Sequence, residues 1–351
     1  MRYDMEQNMG FFVGKELGPN RYKPSVLTSW LIPKGASGNT YNGLGDTKVS
    51  RARPQMHGPE KHPWTKVVAM FLFRTTIGSP VSAVASIKHM WREKFGHIDI
   101  AAQRQQGTPE SFTAALKEEA LKHAEVEIVG IARMREEWRF QGHDDIADLP
   151  WIVVTGRSMD YEALAKNMQG DFSSALAQVI GGYEKTQSGA VHIANWIRER
   201  GYYAKGYGGL SSTKGEWHLA IPPAIEAGIG QLAKNGSMIN DSLGSAFRVA
   251  TVLTDMPLLA DAPREMGVDE FCMSCQKCQT DCPPGAISNE KQMVRGVEKW
   301  YVDFDKCMPY MAEHKGCAIC LSTCPWSRPG IAPSLSQKML KKMSRRAENI
   351  S

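Results

Sequence analysis

All eight cysteines of the 351-residue chain lie between Cys272 and Cys324, and this clustering constrains the fold more than any other feature of the sequence. Four of them form the run Cys272-x2-Cys275-x2-Cys278-x3-Cys282, followed by Pro283. In such a run, three closely spaced thiolates bind one four-iron cube and the fourth reaches across to a second cube. The spacing predicts two 4Fe–4S clusters. One would be held by Cys272, Cys275, Cys278 and Cys324, and the other by Cys282, Cys307, Cys317 and Cys320.

Two other uses of these cysteines fit the pattern less well. A secreted disulfide scaffold would spread its cysteines over the fold, whereas none occurs before Cys272. Structural zinc sites usually pair two Cys-x2-Cys knuckles across a longer loop, so the successive steps closed by Cys-Pro favour a cube. The segment 267–330 has few apolar residues for a core of its own. We therefore expect a small ferredoxin-like module that folds around its metal.

The bulk composition indicates a compact globular protein. The chain is 42% hydrophobic, and its 42 Lys and Arg against 37 Asp and Glu give a net charge of only +5, which does not require nucleic acid as a partner. No apolar run reaches the roughly 18 to 20 residues that cross a bilayer. The N-terminus shows no export signal. We therefore expect a cytoplasmic protein with no membrane span; its oligomeric state is left open.

Strands alternate with helices between residues 108 and 266, which predicts an α/β core. Thr108 is a candidate N-cap with Pro109 at the first helical position. Apolar runs predict buried strands, and the long apolar-periodic segment 173–200 predicts a helix interrupted near Gly181 and Gly182. The predicted strands are Val126–Ala132, Trp151–Thr155 and Phe247–Leu253. Gly201 would end the long helix.

The two ends of the chain carry weaker signals. Residues 1–107 are rich in Gly, Pro and Asn and are predicted to be loop-rich, with one strand at Val67–Phe73. The tail, 331–351, has apolar residues at helical spacing among basic ones. It predicts a short basic helix that docks on the protein or remains solvated.

Several stretches between about residues 120 and 330 together resemble the cobalamin-dependent reductive dehalogenases. They also resemble, less closely, the epoxyqueuosine reductases. The stretches are Ile193–Arg198 with Gly201-Tyr202, Ala227–Gly230, Lys234–Gly236, Arg248–Leu258, Trp300–Phe304 and Cys324–Trp326. The resemblance implies a nitroreductase-like α/β (α+β) core that binds cobalamin base-off, without a histidine side chain on the cobalt. The sequence agrees, because His143 lies in no Asp-x-His-x-x-Gly pattern.

The resemblance also assigns catalytic roles to two residues. Tyr183 matches the family's proton donor and Arg248 its basic partner. A phenol is protonated at neutral pH and can donate when a nearby cation stabilises the phenolate. On the residues alone, the favoured interpretation is that Tyr183 is an ordinary helix-start aromatic and Arg248 a surface salt-bridge residue.

A glycine-punctuated segment is the predicted cofactor-binding region. Its members are Gly228, Gly230, Asn235 and Gly236. Glycines let backbone N–H groups approach a large planar ligand and its phosphate tail. The alternative is plain turn chemistry, and nothing here forms a dinucleotide-binding fingerprint.

The resulting hypothesis is a cobalamin- and iron–sulfur-dependent reductase acting on a halogenated, possibly aromatic, compound. Electrons from an external low-potential donor of the ferredoxin or flavodoxin type would pass through the clusters and reduce cobalt to Co(I), while Tyr183 supplies the proton. Two alternatives stay open: an epoxyqueuosine reductase-like enzyme that modifies tRNA, and a non-catalytic electron-transfer or corrinoid-handling protein.

Overall fold

The computed structural model describes residues 10–54, 62–77, 79–144, 146, 148–209 and 218–349. The strands are β1 (Lys15–Gly18), β2 (Arg21–Lys23), β3 (Ile128–Arg133), β4 (Trp151–Ser158), β5 (Ala204–Tyr207), β6 (Gln231–Leu232), β7 (Met238–Ile239), β8 (Phe247–Thr254), β9 (Gln292–Val294) and β10 (Val297–Lys299). The helices are α1 (Val26–Leu31), α2 (Gly38–Tyr41), α3 (Thr65–Ile77), α4 (Pro80–Phe95), α5 (Pro109–Lys122), α6 (Tyr161–Ala165), α7 (Phe172–Arg198), α8 (Ile221–Glu226), α9 (Val268–Ser274), α10 (Lys277–Thr280), α11 (Phe304–Glu313), α12 (Ile319–Ser322) and α13 (Ala332–Glu348).

A four-stranded antiparallel sheet forms the centre of the core, in the order β3-β4-β8-β5. Successive residues of a strand point to opposite faces, so a strand that is apolar at every position needs cover on both sides. In β4, Val153 packs with α5 and α7, whereas Ile152 and Val154 pack with α8 and the segment after it. All three are completely buried. The three strands predicted between residues 108 and 266 and the mixed α/β architecture are confirmed.

Helix α5 begins where its sequence indicates. The Thr108 side chain accepts a hydrogen bond from the backbone N–H of Ser111, and the Ser111 side chain accepts one from Thr108 in return. Pro109 occupies the first turn, which has no need of its missing N–H. Phe112, Leu116 and Ala120 form the buried face of the helix.

Helix α7 runs unbroken for 27 residues, so the predicted interruption at Gly181 and Gly182 is wrong. A glycine inside a helix costs only about 0.5–1 kcal/mol relative to alanine. The buried face of α7 offsets that cost, since Ala190, Ile193 and Ile197 are at most 1% exposed. Gly201 follows the helix with a φ of +79°, as its predicted role as a terminator requires.

The strand predicted at Val67–Phe73 is also wrong, because these residues lie within α3. A short apolar run has no periodicity that separates a buried strand from a buried helix. Val67 and Val68 pack against Met308 and Ala312 of α11, so tertiary contacts determine the outcome. Helix α4 is a second long helix in the region predicted to be loop-rich.

One further property of these helices concerns membranes. No single described helix combines the length and the apolar composition of a membrane span. Among the described residues, one pair of helices, Thr65–Thr75 and Pro80–Phe95, reaches the length and apolar composition of a membrane span when the two are taken together. The bend between the two helices is 111°.

The cysteine-rich segment packs against both ends of the chain. On one side, the buried Glu313 carboxylate accepts hydrogen bonds from the backbone N–H groups of Gly14 and Ser25 and from the Tyr22 hydroxyl. On the other side, α13 docks on α9, and Ser336 donates to the Met266 carbonyl. The predicted tail helix therefore exists and docks on the protein; its last two predicted residues lie outside the described part of the chain.

Candidate functional site: a cysteine centre beside a tyrosine–arginine pair

The structure places the eight thiols in two groups. Cys324 is buried and lies near Cys272, Cys278 and Cys275; burial and these neighbouring thiols raise its pKa to about 12. Cys272 adjoins Cys275, and burial raises its pKa to about 11. Cys324, from the far end of the segment, therefore lies near the first three cysteines, and its role as the fourth ligand of the first cluster stays a prediction.

The second group has the same crossed arrangement. Burial and the adjacent Cys282 thiol raise the pKa of Cys307 to about 12. Burial, followed by the influence of Cys320, Cys307 and Cys282, raises the pKa of Cys317 well above the usual value. Cys282 thus lies near these three residues, and it also packs in one cluster with Cys278 of the first group.

The two groups adjoin each other. Burial and then the Cys320 thiol, from the other group, raise the pKa of Cys278 to about 12. Burial also raises the pKa of Cys320, and the Cys324 thiol of the first group adds to this increase. Two cubes at these positions would be neighbours, which suits stepwise electron transfer.

The geometry suits cubes better than the two alternatives. All eight cysteines are free of disulfide bonds. Within the described residues, no three His, Cys, Asp or Glu side chains converge on a point that could hold a single metal ion, as tetrahedral zinc requires. A cube instead holds its thiolates at separate corners. Cys272, Cys275, Cys278 and Cys324 line one small cavity, together with Ala233, Lys234 and Asn235.

Cysteines whose pKa is raised by burial form thiolates poorly unless iron is bound. Each raised pKa means that the thiol would be protonated at neutral pH, whereas a metal ligand must be the thiolate. Iron neutralises that charge, and the free energy of metal binding then contributes to folding. The donor set therefore fits the clusters that the sequence predicts.

Tyr183 and Arg248 come together from different elements. Tyr183 lies in the middle of α7, and Arg248 is the second residue of β8. The guanidinium carbon of Arg248 lies 4.8 Å from the centre of the Tyr183 ring, within the range of a cation–π contact. The Nε of Arg248 is buried and has no hydrogen-bond partner among the described residues. Such an atom is costly unless a ligand or water completes the site.

Gly182 makes this approach possible. A Cβ at Gly182 would lie 2.9 Å from Cγ of Arg248, closer than carbon atoms pack. A Cβ at Gly181, one residue earlier, would meet nothing within 4 Å. The two adjacent glycines therefore differ: Gly182 allows the close approach of Arg248, and Gly181 leaves open space on the surface of α7.

Asn235 links the tyrosine–arginine pair to the cysteine centre. Its Nδ2 donates to the Cys320 carbonyl at 3.2 Å and to Ser245 Oγ at 3.3 Å. Ser245 precedes β8, and Ala246 packs with Leu321 in one apolar cluster. Arg248 follows directly on the same strand, so the predicted catalytic pair lies on an element that contacts the cluster-binding segment.

The predicted glycines are packed against the chain itself. A Cβ at Gly230 would lie 2.7 Å from the carbonyl oxygen of Ile239, and one at Gly236 would lie 2.8 Å from Val302. Gly228 has a φ of +69°, which other residues rarely adopt. Close packing and backbone conformation thus account for all three, and their approach to a cofactor stays a prediction.

Sequence reasoning missed the role of Lys234. It belongs to the family-like stretch Lys234–Gly236 but had no chemical signal of its own, because a lysine that is 1% exposed cannot be told from a surface lysine by sequence. Its burial at the four-cysteine cavity is visible only in the structure.

Comparisons with known proteins agree with these features. Residues 271–328 match the family model described as a 4Fe-4S dicluster domain, which confirms the two-cluster prediction. The chain is 31% identical over 217 residues to a tetrachloroethene reductive dehalogenase of Dehalobacter restrictus, covering 58% of this chain and 37% of the relative. A tetrachloroethene reductive dehalogenase of Sulfurospirillum multivorans is 31% identical over 189 residues, 51% of this chain and 36% of the relative. An epoxyqueuosine reductase of Leadbetterella byssophila is 32% identical over 121 residues, 30% of this chain and 35% of the relative.

Solved structures have the same fold. A variant of a catabolic reductive dehalogenase superposes with a TM-score of 0.68 at 22% identity, covering 80% of this chain and 42% of that one. A reductive dehalogenase structure that suggests a mechanism for B12-dependent dehalogenation superposes with a TM-score of 0.61 at 23% identity, covering 83% of this chain and 41% of that one. The matches span little more than a third of the first two relatives' length. The predicted resemblance to reductive dehalogenases is confirmed.

Proposed function

We propose that this relative of the reductive dehalogenases is a cobalamin- and 4Fe–4S-dependent oxidoreductase that replaces halide with hydrogen on an organohalide. The main observation in support is that Tyr183 contacts Arg248, which lies on a strand that adjoins the two-cluster segment. The reaction consumes two electrons and one proton. It breaks the carbon–halogen bond, forms a carbon–hydrogen bond and releases halide.

Two features of the structure support cobalamin as the second cofactor. The open space at Gly181 leaves a stretch of the surface of α7 without a side chain, against which a large flat ring can lie. The unpartnered Nε of Arg248 leaves a donor for a bound group. Bound cobalamin would supply a strongly reducing metal centre for cleavage of the carbon–halogen bond. We propose the base-off mode, with no histidine side chain on the cobalt.

Tyr183 is the proposed proton donor. Its hydroxyl holds the proton that replaces halide, and the phenolate left behind is a charge that Arg248 is placed to stabilise. The ring is only partly exposed, so the arginine acts with little competition from solvent. The role of Arg248 is electrostatic, because a guanidinium cannot itself act as an acid near neutral pH.

The two clusters are the proposed path for electrons. The contact between Cys278 and Cys320 brings the two thiol groups together, and Asn235 joins the second group to the strand that carries Arg248. We propose a ferredoxin- or flavodoxin-type protein as the electron donor, since 4Fe–4S clusters work at the low potentials of such carriers. The proposed location is the cytoplasm.

Substitution of Tyr183 tests this function. Tyr183→Phe removes one hydroxyl and little volume, so cluster content and cobalamin affinity should remain. Halide release should fall by about 100-fold or more, the usual contribution of a positioned acid. Full activity of the variant would remove Tyr183 from the mechanism.

The relationship to epoxyqueuosine reductase supports a second candidate, reduction of a modified tRNA base. A wild-type protein with loaded cofactors that releases no halide but reduces an epoxyqueuosine-containing tRNA would establish it instead. A protein that holds clusters without binding cobalamin would be an electron carrier.

A further inference from the structure

Lys234 is a lysine buried in the wall of the four-cysteine cavity. Its side chain is 1% exposed, and it lines the cavity with Cys272, Cys275 and Cys278. Its ammonium donates to the Cys275 carbonyl at 2.9 Å and to Asn289 Oδ1 at 2.7 Å. The cation therefore lies against the backbone of a predicted cluster ligand.

The partners of Lys234 are all neutral. Besides the carbonyl and the amide, its Nζ lies 4.9 Å from the centre of the Trp300 ring. Asp269, whose carboxylate also contacts Trp300, is paired with Lys291 at 2.7 Å and accepts from Trp300 Nε1 at 2.8 Å. No ion pair joins Lys234 to any carboxylate in the described part of the chain. Lys291 contacts the same ring at 5.6 Å, but it has its own counter-charge.

A buried cation without a counter-charge is expensive. An isolated ammonium loses its hydration on burial, and neutral hydrogen bonds recover only part of that free energy. A four-iron cube with four thiolates is a dianion when oxidised and takes up one more negative charge on reduction. Its position at Cys272, Cys275, Cys278 and Cys324 would supply the missing counter-charge.

We propose that Lys234 is the counter-ion of the cluster held by Cys272, Cys275, Cys278 and Cys324 and that it raises the reduction potential of this cluster above that of the same cube without the cation. The ammonium attracts the reduced cube more strongly than the oxidised one, so it favours electron uptake. Lys234 is a positioning residue, since it acts on electron transfer through the cluster and its ligands. The inference depends on the clusters and not on the dehalogenation proposed above.

Redox titration followed by EPR tests the proposal on the anaerobically purified, cluster-loaded chain. Lys234→Met keeps an apolar stem of similar length and removes the charge. It should shift the midpoint potential of one cluster to more negative values and leave the second cluster less affected. Lys291→Met is the matched control. It removes the other cation that contacts Trp300, and that cation is already paired with Asp269. Its shift should be clearly smaller.

A second variant covers the case in which Lys234→Met loses the cluster. Asn289→Asp puts a carboxylate where an amide oxygen now accepts from Lys234, so it neutralises the cation without changing the packing. The same negative shift is expected. The proposal would be overturned if the midpoint potentials were unchanged in Asn289→Asp. Where Lys234→Met retains its cluster, its midpoint potentials would also have to be unchanged. Iron and halide assays on the same samples keep failure of the cluster assignment or of the dehalogenation separate from this outcome.

Discussion

Removal of the Arg248 charge should slow proton donation by Tyr183. Arg248→Met keeps the stem that packs against Gly182 and deletes the guanidinium. At the observed 4.8 Å, a full charge on the tyrosine would gain about 3.5 kcal/mol at an effective dielectric constant of about 20. Since about 1.36 kcal/mol corresponds to a tenfold change in rate, the expected loss is at most a few hundredfold.

The assay follows halide release from a brominated phenol under a chemical reductant, with iron and cobalamin content measured on the same preparations. Tyr183→Phe provides the partner for a double-mutant cycle. The double variant should lose much less than the two single losses combined, because without the phenol the arginine has no phenolate to stabilise. Additive losses, or activity of Arg248→Met within about threefold of wild type, would refute the pairing.

Three further perturbations test other parts of the structure. Gly182→Ala should lower halide release, because the added Cβ displaces Arg248. Gly181→Ala should stabilise the cofactor-free protein by about 0.5–1 kcal/mol, measured by denaturant unfolding. The same variant should weaken cobalamin binding, because its side chain fills the open space on α7. Cys275→Ser should leave about four of eight irons by metal analysis; full retention would contradict the ligand set. Desolvation lowers the pKa of His97 to about 4 and that of His218 to about 3. Below about pH 6.5 the unfolded chain therefore binds more protons than the folded chain, so thermal stability should fall as the pH drops from there. In His218→Asn that slope should flatten.

The elements predicted correctly are those with a local physical signal. Thr108 and Pro109 specify a helix start by hydrogen bonding and φ alone, and the continuous apolar run at Trp151–Thr155 requires burial on both faces. The cysteine spacing is equally local, because cube geometry fixes the intervals between neighbouring ligands.

Errors occurred where tertiary contacts determined the structure. Nothing in Val67–Phe73 separates a strand from a helix until α11 packs against Val67. Gly181 and Gly182 indicate a break by propensity, but the rest of α7 buries enough apolar surface to continue through them.

The candidate site shows the same division. The contact of Tyr183 with Arg248 joins residues 65 positions apart across a helix and a strand, and only the resemblance to a family suggested it before the structure did. The position of Lys234 could not be predicted at all, since its burial depends on the cavity that Cys272 and Cys324 close around it.

The most direct test of the central claim is halide release by the wild-type protein loaded with both clusters and cobalamin, given brominated and chlorinated phenols and a low-potential reductant. The account predicts stoichiometric halide and dehalogenated phenol, with bromide leaving faster than chloride because the carbon–bromine bond is weaker. No halide from any member of the panel, with about eight irons and one cobalamin bound per chain, would contradict the proposed reaction.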